Sequence, residues 1–160
     1  MKTVLKYSGI IAAIFAIVAF IMILACDAVK YETALGTVTI KGTIALFGGK
    51  SGMFTYKLAP LALIAFILMI AALVIILLGI ILPLAKVTAL DKVSGVLNLI
   101  AVVALIVAGV FVFITLSNFN SANDLNGGSL TVGYVFVGIF SIVAGAFAIL
   151  PAAVNLLSKK

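Results

Sequence analysis

The stretch "LAPLALIAFILMIAALVIILLGIILPL", residues 58–84, decides the fold, because it contains no charged side chain over its whole length. A helix of roughly 20 residues crosses a hydrocarbon core about 30 Å thick. Three further stretches have the same character, residues 7–26, 94–117 and 130–157. The sequence therefore predicts four transmembrane helices in one integral membrane domain of residues 1–160. The second and fourth stretches exceed the minimum length, so we expect them to tilt or to protrude beyond the core.

The composition of the 160-residue chain supports a membrane location. Hydrophobic residues make up 66% of the chain and charged residues 9%, whereas soluble domains are about half apolar and a quarter charged. The formal net charge of +6 arises from ten lysines and four acids, and all ten lysines lie outside the four apolar stretches. Lysines in such positions set membrane topology. We therefore expect contacts with membrane lipid and no nucleic-acid partner.

The distribution of the lysines predicts an orientation. Residues 1–7, 85–93 and 158–160 hold six lysines and one acid, whereas residues 27–57 and 118–129 hold four lysines and three acids. Loops rich in lysine stay in the cytoplasm. We therefore expect a multi-pass protein of the plasma membrane with cytoplasmic N- and C-termini and an inner loop at 85–93. Residues 27–57 then form an outer β-loop, and residues 118–129 form a short, polar outer loop.

The amino terminus allows a second interpretation. Lys2, Lys6, the apolar run and "ILAC" at 23–26 resemble a bacterial lipoprotein signal, in which Cys26 would be lipidated after cleavage. Such signals have a shorter apolar run and small residues before the cysteine, and Leu24 does not fit that pattern. We expect an uncleaved first span, and the lipidation of Cys26 stays open as the alternative.

Small and polar residues recur along each span at alternating steps of three and four. In lipid, such residues let helix backbones approach one another, and an average step of 3.5 residues is typical of a left-handed seam. The pattern predicts a membrane all-α fold, namely a left-handed antiparallel four-helix transmembrane bundle. The predicted helix-packing residues are Ala12, Ala16, Ala72, Gly79, Asn98, Ala108, Gly138, Ser141, Gly145 and Ala148.

The predicted spans contain none of the groups that usually carry chemistry in membranes. They hold no Asp, Glu, Lys or Arg, and the chain has no His and one Cys. Intramembrane ionisable residues normally mark proton relays and ion pathways, so the pattern argues against a proton-coupled pump and a small multidrug antiporter. No nucleophile–base pair is visible among the Ser and Thr residues. We predict no enzyme activity, no catalytic, cofactor or metal site, and identify no small-molecule substrate.

A strand pattern interrupts the apolar chain at "YETALGTVTIKGTIALFGGKSG", residues 31–52. β-branched and aromatic residues alternate with polar ones between turns that contain glycine. The pattern predicts a small extracellular antiparallel β-sheet packed over the outer helix ends. The expected strands are 29–35, 37–41, 43–47 and 53–56, with 130–134 as a candidate edge strand.

Four spans with both termini inside, a β-forming first outer loop and a short second one resemble the claudin-type tetraspan fold. The chain is also similar to small uncharacterised four-span proteins of low-GC Gram-positive bacteria. The resemblance covers most of the chain as topology and loop pattern. The claudin signature of a Gly-Leu-Trp motif and two cysteines in the first loop is missing, since the chain has no Trp and its single Cys is Cys26. The resemblance therefore implies a fold and assigns no functional residue.

Three functional hypotheses follow. The first is a non-catalytic membrane scaffold or interaction protein whose outer sheet mediates self-assembly or binds another membrane protein, since sheet edges accept strands. The alternative that the sheet only caps the bundle stays open. The second is an accessory or immunity-type subunit that packs laterally on a larger transporter through small residues of the fourth span, and the third is an oligomeric channel or small-molecule carrier. The candidate contact residues of the first hypothesis are Tyr31, Thr37, Thr39, Lys41, Phe47 and Lys50.

Overall fold

The computed structural model of the protein describes residues 2–81 and 88–157. Six helices and five strands form in this part of the chain. In chain order they are α1 (Lys2–Ala25), β1 (Asp27–Thr33), β2 (Gly36–Lys41), α2 (Gly42–Phe47), β3 (Gly49–Ser51), β4 (Phe54–Tyr56), α3 (Pro60–Ile81), α4 (Thr88–Phe113), α5 (Thr115–Asn123), β5 (Ser129–Leu130) and α6 (Val132–Leu157).

Four of these helices, α1, α3, α4 and α6, are long and apolar enough to cross a membrane. Their apolar spans are Tyr7–Ala25, Pro60–Ile81, Val93–Phe113 and Val132–Leu157. By the length and composition of these helices the chain is a multi-pass membrane protein of the all-α class with a small antiparallel sheet.

The four long helices pack as a ring in the order α1, α6, α4, α3. Neighbours around the ring run antiparallel, because α1 and α4 end at the same end of the bundle at which α3 and α6 begin. This end carries the five strands, α2 and α5, and we call it the sheet end. The contact between α4 and α6 is the most extensive, and the contact between α1 and α3 is the smallest.

Buried serines join three of the four helix pairs. Each donates its hydroxyl to a backbone carbonyl of the neighbouring helix, which satisfies the hydroxyl away from water. The bonds run from Ser8 on α1 to Phe147 on α6 (2.5 Å), from Ser141 on α6 to Leu105 on α4 (2.7 Å) and from Ser94 on α4 to Gly79 on α3 (3.1 Å). Among the described residues no such bond joins α1 to α3, where instead the rings of Phe20 and Phe66 stack at 5.4 Å.

The prediction of a strand at residues 43–47 is wrong, because this segment belongs to the short helix α2. The helix ends at Gly48, whose φ of 72° is left-handed and whose N–H bonds to the Ile44 carbonyl at 2.8 Å. Ala45 and Leu46 are fully buried. The burial of this face outweighs the strand preference of the β-branched and aromatic residues in the segment. The strands consequently form two sheets, β2–β1–β5 and β3–β4, and not one meander.

Other predicted boundaries also shift. The predicted loop at 118–129 is helical in its first half, because α5 follows α4 after a single break at Ile114. Residues 88–93 of the predicted inner loop belong to α4, and the rest of that loop up to residue 87 lies outside the described residues. Helix α6 stays helical across Pro151.

Candidate functional site

The three-stranded sheet has β1 at its centre. Antiparallel register pairs Val29 with Ile40 and Tyr31 with Val38 on one side, and Val29 with Leu130 on the other. The extra residue Ala28 interrupts the register at the start of β1. The pairing of β5 with β1 brings the start of α6 beside the end of α1, so the sheet links the first and last long helices.

The sheet has an apolar and a polar face, as the two-residue period of a strand requires. Val29 and Ile40 are fully buried on the face towards the helices. The opposite face carries the cross-strand pairs Lys30–Thr39 and Glu32–Thr37. A slip of one residue would reverse the two faces, so the burial of Val29 and Ile40 determines the register.

The strand β2 forms one edge of this sheet. It has β1 on one side, and no strand of the described residues lies on its other side. Its residues are exposed apart from the buried Ile40. The opposite edge is the two-residue strand β5, so β2 presents the longer open edge of the sheet.

The structure groups some of the predicted contact residues and separates others. Thr37, Thr39 and Lys41 are exposed together on β2. Phe47 lies on α2 and its side chain is 55% exposed. Lys50 is exposed on β3, in the second sheet.

Tyr31 lies on the apolar face and is only partly exposed. Its hydroxyl donates to the side-chain oxygen of Asn120 at 2.5 Å. Burial, and to a smaller extent the neighbouring Tyr56, raises the pKa of Tyr31 above its ordinary value. The hydroxyl therefore stays protonated, and remains a donor, to a higher pH than a free tyrosine. Tyr31 thus holds the sheet on α5.

The asparagines of α5 form a clamp that the sequence analysis missed. Asn120 also donates to the Gly127 carbonyl at 2.8 Å. Asn123 accepts from the N–H of Lys57 at 2.6 Å and donates to the carbonyl of the same residue at 3.0 Å. Asn118 accepts from the N–H of Leu61 at 2.9 Å, in the first turn of α3. One short helix therefore holds the sheet, the segment before α3 and the start of α3.

Backbone contacts attach the β-loop, residues 27–57, to the long helices. The N–H of Gly42 donates to the Cys26 carbonyl at 2.9 Å, and the N–H of Ala59 donates to the Ala45 carbonyl at 2.7 Å. The N–H of Thr131 donates to the Ala28 carbonyl at 3.0 Å. These bonds connect α2 and β1 to the ends of α1, α3 and α6.

Large apolar side chains are exposed at the two hairpin turns. Leu35 in the β1–β2 turn and Met53 in the β3–β4 turn are 101% and 100% exposed, and Phe54 is 70% exposed. Val38 on β2 is exposed as well. Apolar side chains that are exposed together mark contact surfaces more often than isolated ones do.

The ten predicted helix-packing residues lie inside the bundle. A methyl group on Gly145 would lie 3.2 Å from the Val102 carbonyl oxygen of α4, so this face of α6 is occupied by α4 of the same chain. The second functional hypothesis used this face for a lateral partner, and the face is covered within the chain. The ten buried residues are Ala12, Ala16, Ala72, Gly79, Asn98, Ala108, Gly138, Ser141, Gly145 and Ala148.

The clamp leads to a prediction about Asn118. Asn118→Ala is expected to lower the free energy of unfolding by about 1 kcal/mol, because it leaves the Leu61 N–H without its acceptor at the start of a helix. Asn118→Asp keeps an oxygen acceptor and adds a negative charge near the helix N-terminus, so it should retain the stability. Thermal unfolding in mild detergent measures both. Ser117→Ala, at the exposed neighbouring position, is the control, and an unchanged midpoint for Asn118→Ala would contradict the clamp.

The described residues contain no cluster of three His, Cys, Asp or Glu side chains that could hold a metal ion. Neither the protein-family models nor the curated proteins with which the sequence was compared give a match. A functional proposal for this chain must therefore come from the geometry of the sheet end.

Proposed function

We propose that the chain is a non-catalytic membrane scaffold or interaction protein, and that β2 binds a strand of a second copy or of another membrane protein. The open six-residue edge of β2 carries this proposal. The unpaired N–H and C=O groups of an edge strand accept a further strand by β-augmentation. Backbone hydrogen bonds then supply affinity, and the side chains of β2 supply specificity.

The side chains of β2 suit a pairing strand. Thr37, Val38 and Thr39 are exposed residues with high strand propensity. Lys41 places one positive charge at the end of the strand, where it limits pairing with unsuitable partners. On the apolar face, the exposed Val38 offers a contact for the side chain of an added strand.

The lysine distribution supports an extracellular position for the sheet end. The segments at this end hold four lysines and three acids, whereas the remaining connecting and terminal segments hold six lysines and one acid. In this proposal the termini are cytoplasmic, the bundle is left-handed, and the arrangement is that of a claudin-like tetraspan protein of a bacterial plasma membrane. The β2 edge then faces the space in which partners on the cell surface are found.

Proline substitution in β2 tests the proposal. Successive N–H groups of a strand point to opposite edges, so one of Val38 and Thr39 faces β1 and the other faces outward. Proline at the outward position removes a donor for the added strand but no donor to β1. We expect it to reduce self-association by about tenfold, which corresponds to about 1.4 kcal/mol, while insertion and thermal stability are kept. Proline at the inward position should lower the stability as well.

The measurement is the yield of crosslinked oligomer in membranes, with Val38→Pro and Thr39→Pro compared in parallel. Thr39→Ala is the matched control, since it removes the side chain but keeps the N–H. Equal crosslinking in the wild type and both proline variants would exclude pairing through β2. If Thr39→Ala lowers the yield of crosslinked oligomer as much as Thr39→Pro does, the partner contacts side chains on the polar face of the sheet and not the backbone edge of β2.

A further inference from the structure

Helix α2 reaches the level of the membrane-crossing part of α3. The ring of Phe47 meets the ring of Phe66 edge-on, with centroids 5.8 Å apart. Phe66 lies six residues after Pro60, where the apolar span of α3 begins, and six residues of helix extend about 9 Å. Phe66 also stacks on Phe20, which lies five residues before the end of α1. Phe47 is thus an exposed aromatic side chain beside α1 and α3. It lies at a depth at which both helices are within their apolar spans.

The β3–β4 hairpin continues directly from α2 and ends just before α3. Gly48 connects α2 to β3, and a methyl group on it would lie 3.1 Å from the Tyr56 carbonyl oxygen and 3.3 Å from the Leu58 nitrogen. The base of the hairpin is therefore held beside the start of α3. Its tip presents Met53 in the turn and Phe54 at the start of β4, the two most exposed large apolar side chains of this segment.

The segment of α2 and the β3–β4 hairpin differs in its charge from the β1–β2 hairpin. Residues 42–57 contain the exposed Lys50 and Lys57 and no acid, whereas residues 27–41 contain two lysines and two acids. Apolar and aromatic side chains flanked by lysines are the composition that binds the interface of an anionic bilayer. The rest of the β-loop lacks this excess of positive charge.

We propose that α2 and the β3–β4 hairpin form a membrane-interface anchor, which seats Phe47, Met53 and Phe54 in the leaflet that surrounds the sheet end. Lys50 and Lys57 lie at the level of the phosphates and favour anionic phospholipid there. The β1–β2 hairpin stays in water, because residues 27–41 carry two acids, which an anionic bilayer repels. The β-loop is thus divided into a lipid-bound half and a water-exposed half. This inference does not depend on β-augmentation at β2.

The chain has no Trp, so a single introduced Trp is an unambiguous fluorescent reporter. The full-length variants Phe54→Trp and Leu35→Trp are reconstituted in phosphatidylcholine–phosphatidylglycerol vesicles, with and without bromine on the acyl chains near the glycerol. Both positions are exposed on hairpins, so both variants should fold, and Phe47→Trp is a second reporter of the anchor. We expect blue-shifted emission and quenching by bromolipid at least about twofold stronger for Phe54→Trp than for Leu35→Trp. Iodide in the water should quench Leu35→Trp more strongly.

Equal bromolipid quenching of Phe54→Trp and Leu35→Trp would overturn the inference, because the two hairpins would then not differ. Blue-shifted Phe54→Trp emission without bromolipid quenching would assign the apolar turn to a protein contact and would also overturn it. With Lys50→Gln and Lys57→Gln added, bromolipid quenching of Phe54→Trp should lose its dependence on phosphatidylglycerol. If the quenching of Phe54→Trp still depends on phosphatidylglycerol after both substitutions, the two lysines do not contribute to the anchor. Crosslinking through β2 is measured separately, so failure of either proposal leaves the other testable.

Discussion

Replacing Gly42 with alanine is expected to detach the β-loop from α1 and to lower the free energy of unfolding by about 3 kcal/mol or more. Gly42 is the first residue of α2, and its N–H donates to the Cys26 carbonyl at 2.9 Å. A methyl group there would lie 2.8 Å from the Cys26 carbonyl oxygen and would overlap the carbonyl oxygen of Ile23. Both obstacles are backbone atoms, one within α1 and one directly after its last residue, so no rotation of a side chain can relieve the overlap.

The consequence of Gly42→Ala should extend beyond one contact. Helix α2 buries Ala45 and Leu46 and accepts the Ala59 N–H at the start of α3. A shift of α2 away from α1 therefore disturbs both the apolar face of the sheet end and the entry into α3. We therefore expect Gly42→Ala to destabilise the sheet end and the four-helix bundle together.

Thermal unfolding in mild detergent, followed by the recovery of monodisperse protein, measures the effect. Gly9→Ala is the matched control, because the nearest atom to its added methyl group would be Cγ1 of Ile80 at an ordinary 3.9 Å. Alanine in a helix is more stable than glycine by up to about 1 kcal/mol, so Gly9→Ala should not lower the stability. Cys26 is the single cysteine and a partly exposed residue, and its thiol should react faster with maleimide once the β-loop moves away. A Gly42→Ala protein as stable as Gly9→Ala would contradict this packing of α2 on α1.

The long helices were predictable from sequence for a local reason. A membrane span is a property of about 20 consecutive residues, and no distant contact is needed to recognise it. The small residues inside the spans are also a local pattern, and Ala12, Gly138 and Ser141 lie buried in the bundle. The first two strands follow from alternation in the same way. The edge position of β2 does not, because it depends on which strands pair with β1.

Helices α2 and α5 were missed because distant residues stabilise them. The segment of α2 is rich in residues that favour strands, and it becomes helical by burying Ala45 and Leu46 against other elements. Three asparagines in α5 are poor helix formers. Each of them instead bonds to the backbone or side chain of a residue at least seven positions away, Asn118 to Leu61 for example. Three asparagines at 118, 120 and 123 were the available signal, since Asn in an otherwise apolar chain needs partners.

Replacing Gly109 with leucine should separate α4 from α6 and lower the free energy of unfolding by about 3 kcal/mol or more. This is the most extensive helix contact of the bundle. A methyl group on Gly109 would lie 2.9 Å from the Gly138 carbonyl oxygen and 2.6 Å from Cγ1 of Ile142. The Ile142 side chain can turn away, but the Gly138 carbonyl belongs to the backbone of α6. Relief of the overlap with this carbonyl therefore requires α4 and α6 to move apart.

Such a movement also affects contacts along the rest of the α4–α6 pair. The bond from Ser141 to the Leu105 carbonyl would lengthen beyond its 2.7 Å, and in lipid a hydroxyl that loses its acceptor finds no water to replace it. A graded series tests the argument, with Gly109→Ala expected to cost about 1–3 kcal/mol and Gly109→Leu more. Val110→Leu, at the adjacent exposed position, adds bulk towards lipid and should leave the unfolding midpoint unchanged. If Gly109→Leu and Val110→Leu unfold at the same temperature in detergent, the close approach of α4 and α6 is not what holds this bundle together.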